Sequence, residues 1–509
     1  MDISAVKATL WKAADELRAN SALAPSQYRD PVLGMIFLAY AEHRFDEIAA
    51  GLTVGPRNPL TPDRWKSKSG VYLPEGARLS AIRELPEAVD LAKALDDAML
   101  AIEEANPDLK GVLPRGYQRL EKSTIIALLE LFAPLAATLT GDAFGLIYED
   151  FLGNFAMAEG RLGGEFFTPA SIVRLIVEIL EPFHGTVFDP ACGSGGMFVQ
   201  CAKFVERHDK TVRDELTIFG QEHKDQTVPI AKMNLALHGL GGQILLGNSY
   251  YDDRYKSLGR FDFVMANPPF NVKNVDKEKV VEDLKALGTP TTDNANYLWI
   301  QRFWSALSPA GRAGFVMANS ASDARSSELE IRKKLLQAKG VDVMVAIGTN
   351  FFYTVTLPVT LWFLDKAKMG TAREDTVLFI DARHTFRQVD RAHRDFAPDQ
   401  LELLANIVRL YRGEEPELVS SKALMEQHFP DGTYADVAGL CKVATLDEIE
   451  AQGWSLNPGR YTGTAAGEED DEPFLEKLAR LHEEFTVLSD EAAALRSIVD
   501  AAVEGILSA

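Results

Sequence analysis

The run FDFVMANPPF (Phe261 to Phe270) sets an amide, two prolines and an aromatic ring directly after an apolar segment. Proline donates no hydrogen bond and fixes its own φ, so Pro268-Pro269 must end a strand abruptly and leave a stiff corner. That corner offers two acceptors at fixed positions, the side-chain oxygen of Asn267 and the carbonyl of Pro268. An amine conjugated to an aromatic ring, such as the exocyclic amine of adenine, is a poor nucleophile because its lone pair is delocalised. Accepting both of its N–H groups draws the nitrogen toward tetrahedral geometry and localises that pair. Dipoles fixed where positive charge develops are an electrostatic form of catalysis. Holding the amine in line with an electrophile adds an orientation term. Phe270 is placed to stack on the planar base, which must leave a duplex to reach it. A merely stiff turn is the bland alternative for these four residues.

A second constellation lies upstream. In TVFDPACGSGGMF a strand over Thr186 to Phe188 runs into Asp189, then into a loop with Gly193, Gly195 and Gly196 that opens a helix. Glycines there let the backbone approach a ligand closely. The chain contains no GK[ST] run, which argues against a P-loop nucleotide site. ELTIFGQE ends in Glu222, 26 residues after Gly196; an acid at the end of the second strand of a doubly wound sheet accepts from ribose hydroxyls. QILLGNS ends a third strand at Asn248, whose side chain can bond an adenine ring. The plainer readings are a solvated strand end for Glu222 and a turn former for Asn248. GGEFFTPASIVRLIVEIL presents Thr168 as an N-cap and Pro169 as the first helical residue. Capping leaves Phe166 and Phe167 unexplained. A helix N-terminus holds a carboxylate, and aromatic faces cover a cationic or planar group. S-adenosylmethionine carries a carboxylate, a sulfonium and an adenine, and it fits this set.

These residues need a scaffold of parallel strands. From about residue 160, short apolar runs (GTVFDP, ELTIFGQE, QILLGN, FDFVMANPPF, AGFVMANS, DVMVAIG, TLPVTLWFLDK) alternate with helical ones such as SIVRLIVEIL, PIAKMNLALHG, YLWIQRFWSAL and ELEIRKKLLQAKG. The alternation predicts a doubly wound, mostly parallel α/β sheet, with ligands at the carboxyl ends of its strands. Residues 1–155 read as helical, with RNPLTPDRWKSKSG as an interrupting loop. We divide the remainder into a catalytic domain at 156–400, an extension at 401–472 and a long helix at 473–509. In that last segment Phe474, Leu478, Leu481, Phe485, Leu488, Ala492, Leu495, Val499, Ala502 and Ile506 recur at steps of four and three. That is a coiled-coil seam, suited to a partner subunit or to packing on its own chain.

The formal net charge is −21 over 509 residues. A chain that grips duplex DNA alone carries a basic surface, so a DNA substrate here implies either a local basic patch or a partner that supplies the grip. Three cysteines with no CxxC pair predict neither a disulfide framework nor a metal site. No apolar run reaches membrane-spanning length and the N-terminus lacks a signal-peptide layout, so a cytoplasmic location is expected. The basic stretches RWKSK and DARHTFRQVDRAHRD read first as solvated faces.

The pair DPACGSGG and NPPF resembles the amino-methyltransferases that use S-adenosylmethionine. EFFTPASIV, FDPACGSGGMF, FDFVMANPPF, NANYLWIQRFWSAL, GRAGFVMANS and FFYTVTLPVTLWFLDK together resemble the modification subunit of type I restriction–modification systems, and LWKAADELR…YRDPVLGMIFLAY and GWSLNPGRY extend the likeness over nearly the whole chain. The resemblance implies the class I methyltransferase fold and methylation of adenine N6 in duplex DNA. It implies catalysis by Asn267, Pro268, Pro269 and Phe270. It implies cofactor contacts from Glu165, Phe166, Phe167, Thr168, Pro169, Ala170, Asp189, Ala191, Cys192, Gly193, Ser194, Gly195, Gly196, Glu222 and Asn248. Phe352 or Tyr353 would form the far wall of the base pocket. Cys192 would be a small packing residue, since nothing in the sequence activates it as a nucleophile. A separate specificity subunit would read the target, with two modification subunits to one specificity subunit, and cleavage would need an ATP-dependent restriction subunit. Two other classes stay open from the residues alone. One is an amide-nitrogen (glutamine) protein methyltransferase; the other is a non-catalytic cofactor-binding scaffold.

Overall fold

In the computed structural model, residues 25–52, 59–65, 70–138, 168–291, 293–352, 358–390 and 393–464, together with 496, are described. The predicted helix over Ile3 to Arg18, FGLIYEDFLGNFAMAEG and the C-terminal seam lie outside them.

The first helices form because they carry more apolar surface than can be left in water; the middle of the first is buried on every side. α1 (Pro25–Ala50), α2 (Leu91–Ala105) and α3 (Lys122–Thr138) bury Phe37, Leu38, Leu95, Met99, Ile102, Leu128 and Phe132 in one cluster. The stretch expected as a loop contains a short helix, Pro62–Trp65. Its Trp65 is buried and stacks on Phe45 with centroids 4.4 Å apart. Apolar area outweighed the turn chemistry of the neighbouring prolines.

The remaining elements alternate as expected, and the sheet goes further than expected. In order they are α4 (Ala170–Leu180), β1 (Gly185–Asp189), α5 (Gly196–Arg207), β2 (Leu216–Glu222), α6 (Val228–Leu237), β3 (Gly241–Leu246) and β4 (Phe261–Ala266). There follow α7 (Asn296–Ala306), β5 (Leu307–Ala318), α8 (Ser327–Gln337), β6 (Val341–Ile347), β7 (Val359–Asp365), β8 (Thr376–Asp381), α9 (Pro398–Arg412) and β9 (Cys441–Thr445). They build a nine-stranded sheet in the order β9-β8-β6-β7-β5-β4-β1-β2-β3. β3, β2, β1, β4 and β5 run parallel. β7 is antiparallel to both β5 and β6, and β8 resumes the common direction beside β6. β6 and β7 are buried along their whole length; they are apolar apart from Thr360 and the buried Asp342 and Asp365, which pair with Arg373 and Arg412. This mixed, mostly parallel sheet flanked by helices is the class I methyltransferase architecture.

β6 and β7 were expected; β8 and β9 were not. β9 pairs with β8, and Tyr461 stacks on Phe379 of β8 at 3.9 Å. The GWSLNPGRY stretch is therefore part of the sheet's packing. Buried Arg332 reinforces it, donating to the Trp454 carbonyl at 2.6 Å and to Tyr297 Oη at 3.0 Å. On the other flank, Met233 and Leu237 of α6 belong to the apolar cluster of the N-terminal helices.

Candidate active site

The sheet order reverses between β1 and β4: β1 leads outward to β2 and β3, whereas β4 leads the other way to β5. The two strands pair directly, with Phe188 level with Val264. Asp262 stitches them together at the amino end, taking hydrogen bonds from the Thr186 N–H and hydroxyl at 2.9 Å each. Their carboxyl ends therefore open side by side, one strand spacing (~4.8 Å) apart. Asp189 and its glycine loop leave one strand; Asn267 and the two prolines leave the other. A topological switch point of this kind is where an open α/β sheet forms its ligand crevice.

The glycine loop is tied down at its edges and open in its middle. Cys192 N–H donates to the Gln221 carbonyl at 3.1 Å, and the Cys192 side chain packs over Gly220. Its thiol is buried and pushed well above its ordinary pKa by that burial, so it is no nucleophile. Gly193 (φ 53°) and Gly195 (φ 83°) take the left-handed conformation that only glycine adopts freely. At Gly193 and Gly196 a Cβ would meet nothing within 4 Å. The space beside this backbone is thus available to a ligand.

Two acids flank that space. Burial pushes the Asp189 carboxyl well above its ordinary range, opposed by a 2.8 Å bond from Ala191 N–H and reinforced by the nearby Glu222. Burial alone would push Glu222 the same way. Bonds from His223, Lys224 N–H (2.8 Å) and Gly193 N–H (2.9 Å) outweigh it and hold Glu222 below the usual carboxyl range. Glu222 therefore stands ionised at the rim of the loop. Each carboxylate oxygen still has acceptor capacity for a hydroxyl.

Asn248 is exposed, and its Oδ1 takes the Tyr250 N–H at 3.0 Å. The turn-forming reading holds for its oxygen. Its amide nitrogen is the donor available to a ring nitrogen of an adenine.

On the β4 side the strand ends at Ala266, as the prolines require. Asn267 donates from Nδ2 to the Thr168 hydroxyl at 2.8 Å. Thr168 is not the N-cap the sequence suggested. α4 starts at Ala170 with Pro169 as its cap residue and no side-chain capping bond. The proline occupies the cap position, and the hydroxyl is engaged across the crevice. Phe270 is 8% exposed and joins the apolar core. Phe352 is also buried in that core. Glu165, Phe166, Phe167 and Tyr353 lie outside the described residues.

Several supports were not legible from motif spacing. Asn271, directly after Phe270, has φ 58° and exchanges two hydrogen bonds with buried Asn296 at the start of α7, 2.7 and 3.0 Å. Trp299 of the same helix donates to Tyr250 Oη at 2.7 Å. Fully buried Arg302 bridges Asp253 (3.0 Å) and Asp283 (2.9 Å). α7 therefore braces the segment that leaves the Asn267 corner and the segment that follows β3. The run NANYLWIQRFW contains all three residues, but their partners are distant in sequence.

The chain matches the family model for N-6 DNA methylase over residues 139–470 and that for the HsdM N-terminal domain over residues 6–132. It is 35% identical to the type I restriction enzyme MjaIX methylase subunit of Methanocaldococcus jannaschii, covering 96% of this chain and 89% of that one. It is 38% identical to the HindI methylase subunit of Haemophilus influenzae, covering 81% and 90%. Among solved structures, the type I restriction-modification methyltransferase subunit of Streptococcus thermophilus superposes with a TM-score of 0.69 at 19% identity, covering 91% of this chain and all of that one. That likeness speaks to the fold. The two sequence relatives, read with an amide-proline corner and a glycine loop on adjoining strand ends, place the chain in the N-6 DNA methylase family, as a methylase subunit of the type I restriction–modification kind.

Proposed function

We propose that the crevice between β1 and β4 binds S-adenosylmethionine along the glycine loop and presents its methyl group to an adenine extruded from duplex DNA. The observation that carries this reading is the junction itself: the open backbone at Gly193 and Gly196 and the Asn267 corner leave adjoining, parallel strands. The cofactor supplies an electrophilic methyl group on a sulfonium.

The residues then divide the work. Glu222, ionised at the loop's edge, accepts from ribose hydroxyls, and Asn248 Nδ2 donates to the adenine ring. Asp189 sits in a buried, acid-rich position where a ligand cation relieves its raised pKa. The segment Glu165 to Ala170, with Ala191 to Gly196, completes the cofactor wall. On the other side, Asn267 Oδ1 and the Pro268 carbonyl accept the two N–H bonds of the adenine amine. Phe270, with Phe352 or Tyr353 opposite, holds the base plane. With the cofactor bound, these two acceptors would hold the amine nitrogen in line for methyl transfer and would stabilise the positive charge it gains until its proton leaves to solvent. The specificity subunit supplies sequence readout, and the −21 charge is compatible with a chain that leaves the grip to a partner.

The test uses the chain co-purified with the specificity subunit it assembles with. With labelled S-adenosylmethionine and duplex DNA, label is expected in N6-methyladenine. Asn267→Ala should cut turnover by about 10²–10³-fold, as deletion of one stabilising dipole does, without loss of cofactor binding. Label transferred to a glutamine side chain, or undiminished turnover in the variant, would defeat the reading.

A further inference from the structure

The segment leaving the catalytic corner is held in an unusual shape. Asn271 and Asn274 both have left-handed backbones, φ 58° and 60°. Such conformations cost a non-glycine residue on the order of 1 kcal/mol and persist where surroundings impose them. Here the surroundings do. Asn271 is locked to Asn296, and Asn274 N–H donates to Asp293 Oδ1 at 2.9 Å. Both partners belong to the run that enters α7, a helix almost entirely buried. Between the two asparagines, Val272 packs against the core, and Lys273 is turned outward and exposed.

Lys273 differs from its neighbours in being uncommitted. Lys279 pairs with Asp276 at 2.7 Å and Lys285 with Glu282 at 3.1 Å. The described arginines of the basic stretch, Arg383, Arg387 and Arg394, are committed as well. Arg387 makes a bidentate pair with Asp395, Arg383 pairs with Asp381, and Arg394 lies over the Phe386 ring at 3.8 Å. Lys273 has no ion-pair partner among the described residues, although the chain carries a net charge of −21. A cation presented from a braced loop, three residues past Phe270, is built for a counter-charge that arrives with the ligand. An extruded nucleotide brings its backbone phosphates past this lip, and a lysine ammonium is a point-charge ligand for phosphate.

We propose that the Asn271–Asn274 lip is a phosphate-binding element of the site, with Lys273 holding a DNA backbone phosphate beside the extruded adenosine. The proposal rests on the functional reading above. It is tested on the complex with the specificity subunit, using a duplex that carries the site found methylated in host DNA, with 2-aminopurine at the target adenine. Lys273→Gln should reduce the slope of log affinity against log salt by about 0.9 for each phosphate that is no longer neutralised and lower the 2-aminopurine fluorescence gained on binding. Lys273→Arg should restore both, and S-adenosylmethionine affinity without DNA should stay unchanged throughout. An unaltered salt slope in Lys273→Gln overturns the proposal. So does weakened cofactor binding without DNA, which would assign the lysine to the cofactor carboxylate instead. A wild-type complex that methylates no adenine sinks the functional reading and this one with it; a wild-type complex that methylates normally beside an indifferent Lys273→Gln sinks this one alone.

Discussion

The Asn267 side-chain amide donates to the Thr168 hydroxyl at 2.8 Å, across 99 residues of sequence and from one wall of the crevice to the other. An amide has its oxygen and nitrogen on opposite sides. Committing the nitrogen to Thr168 therefore fixes where the oxygen points, and the oxygen is the atom the proposed chemistry needs. The threonine before α4 acts through the asparagine after β4.

This relationship sets the first prediction. Thr168→Val keeps the shape and removes the acceptor, so the amide loses one hydrogen bond worth about 0.5–1.5 kcal/mol. Turnover should fall about 3- to 10-fold. Thr168→Ser should restore it, because the hydroxyl returns. Single-turnover rates measured at saturating cofactor separate this from a binding defect. Full turnover in the valine variant beside a loss in the serine variant would mean that the methyl group, not the hydrogen bond, matters.

Gly196 allows a test in which stability and function part company. It has no left-handed φ, and a Cβ there meets nothing within 4 Å. Gly196→Ala should therefore fold well and gain up to about 1 kcal/mol from reduced chain entropy and better helix propensity. If the open space is the cofactor's seat, the added methyl should weaken S-adenosylmethionine binding by about tenfold or more. Calorimetric titration with the cofactor, beside a urea midpoint, reads both. Unchanged affinity would move the cofactor away from this backbone.

The sequence made the sheet readable from β1 to β7 because each strand is a short apolar run bounded by turn residues. It made the two halves of the crevice readable because proline and glycine impose backbone geometry locally. What it hid was tertiary. β8 gains its place beside β6, and β9 gains its place by pairing with β8 across some sixty residues of intervening chain. Thr168 looked like a cap because threonine before a helix usually is one, and only the neighbouring strand end shows where its hydroxyl goes. Trp65 lay in a stretch rich in turn formers, yet one aromatic stack with Phe45 decided its burial. The Asn271–Asn296 exchange pairs two residues of a type too common in loops to stand out.

Asp189 supplies a pH test. Its folded-state pKa is raised, chiefly by burial. From about pH 4 upward the unfolded chain has lost this proton while the folded chain still holds it. Wild-type stability should therefore carry a penalty that grows as pH rises through this window and is complete above the folded-state pKa. Asp189→Asn keeps an oxygen for the Ala191 N–H and cannot ionise. Its stability advantage over wild type should be near zero at about pH 4 and increase toward neutral pH, read as the difference in urea midpoints. Cofactor affinity should fall at the same time, since the variant offers no charge to the ligand's cation. An advantage that does not vary with pH would contradict the sign.

Asn296 is the last test, because it is not among the residues we assign to cofactor or base and it is bonded to Asn271. Both hydrogen bonds between them are half-buried, and Asn296→Leu removes both at a net cost of about 0.5–1.5 kcal/mol each. The left-handed turn at Asn271 then loses what imposes it, and the corner at Pro268-Pro269-Phe270 loses its downstream anchor. Cofactor binding, which depends on the loop after β1, should be untouched. Turnover should drop by at least about tenfold, and the concentration of DNA needed for half-maximal rate should rise, because the lip bearing Lys273 shifts with the corner. Asn296→Asp retains the acceptor for the Asn271 N–H and should recover part of the loss. A variant whose turnover and DNA dependence match wild type, with cofactor affinity also unchanged, would show that the two prolines alone hold the corner and that α7 braces nothing the reaction uses.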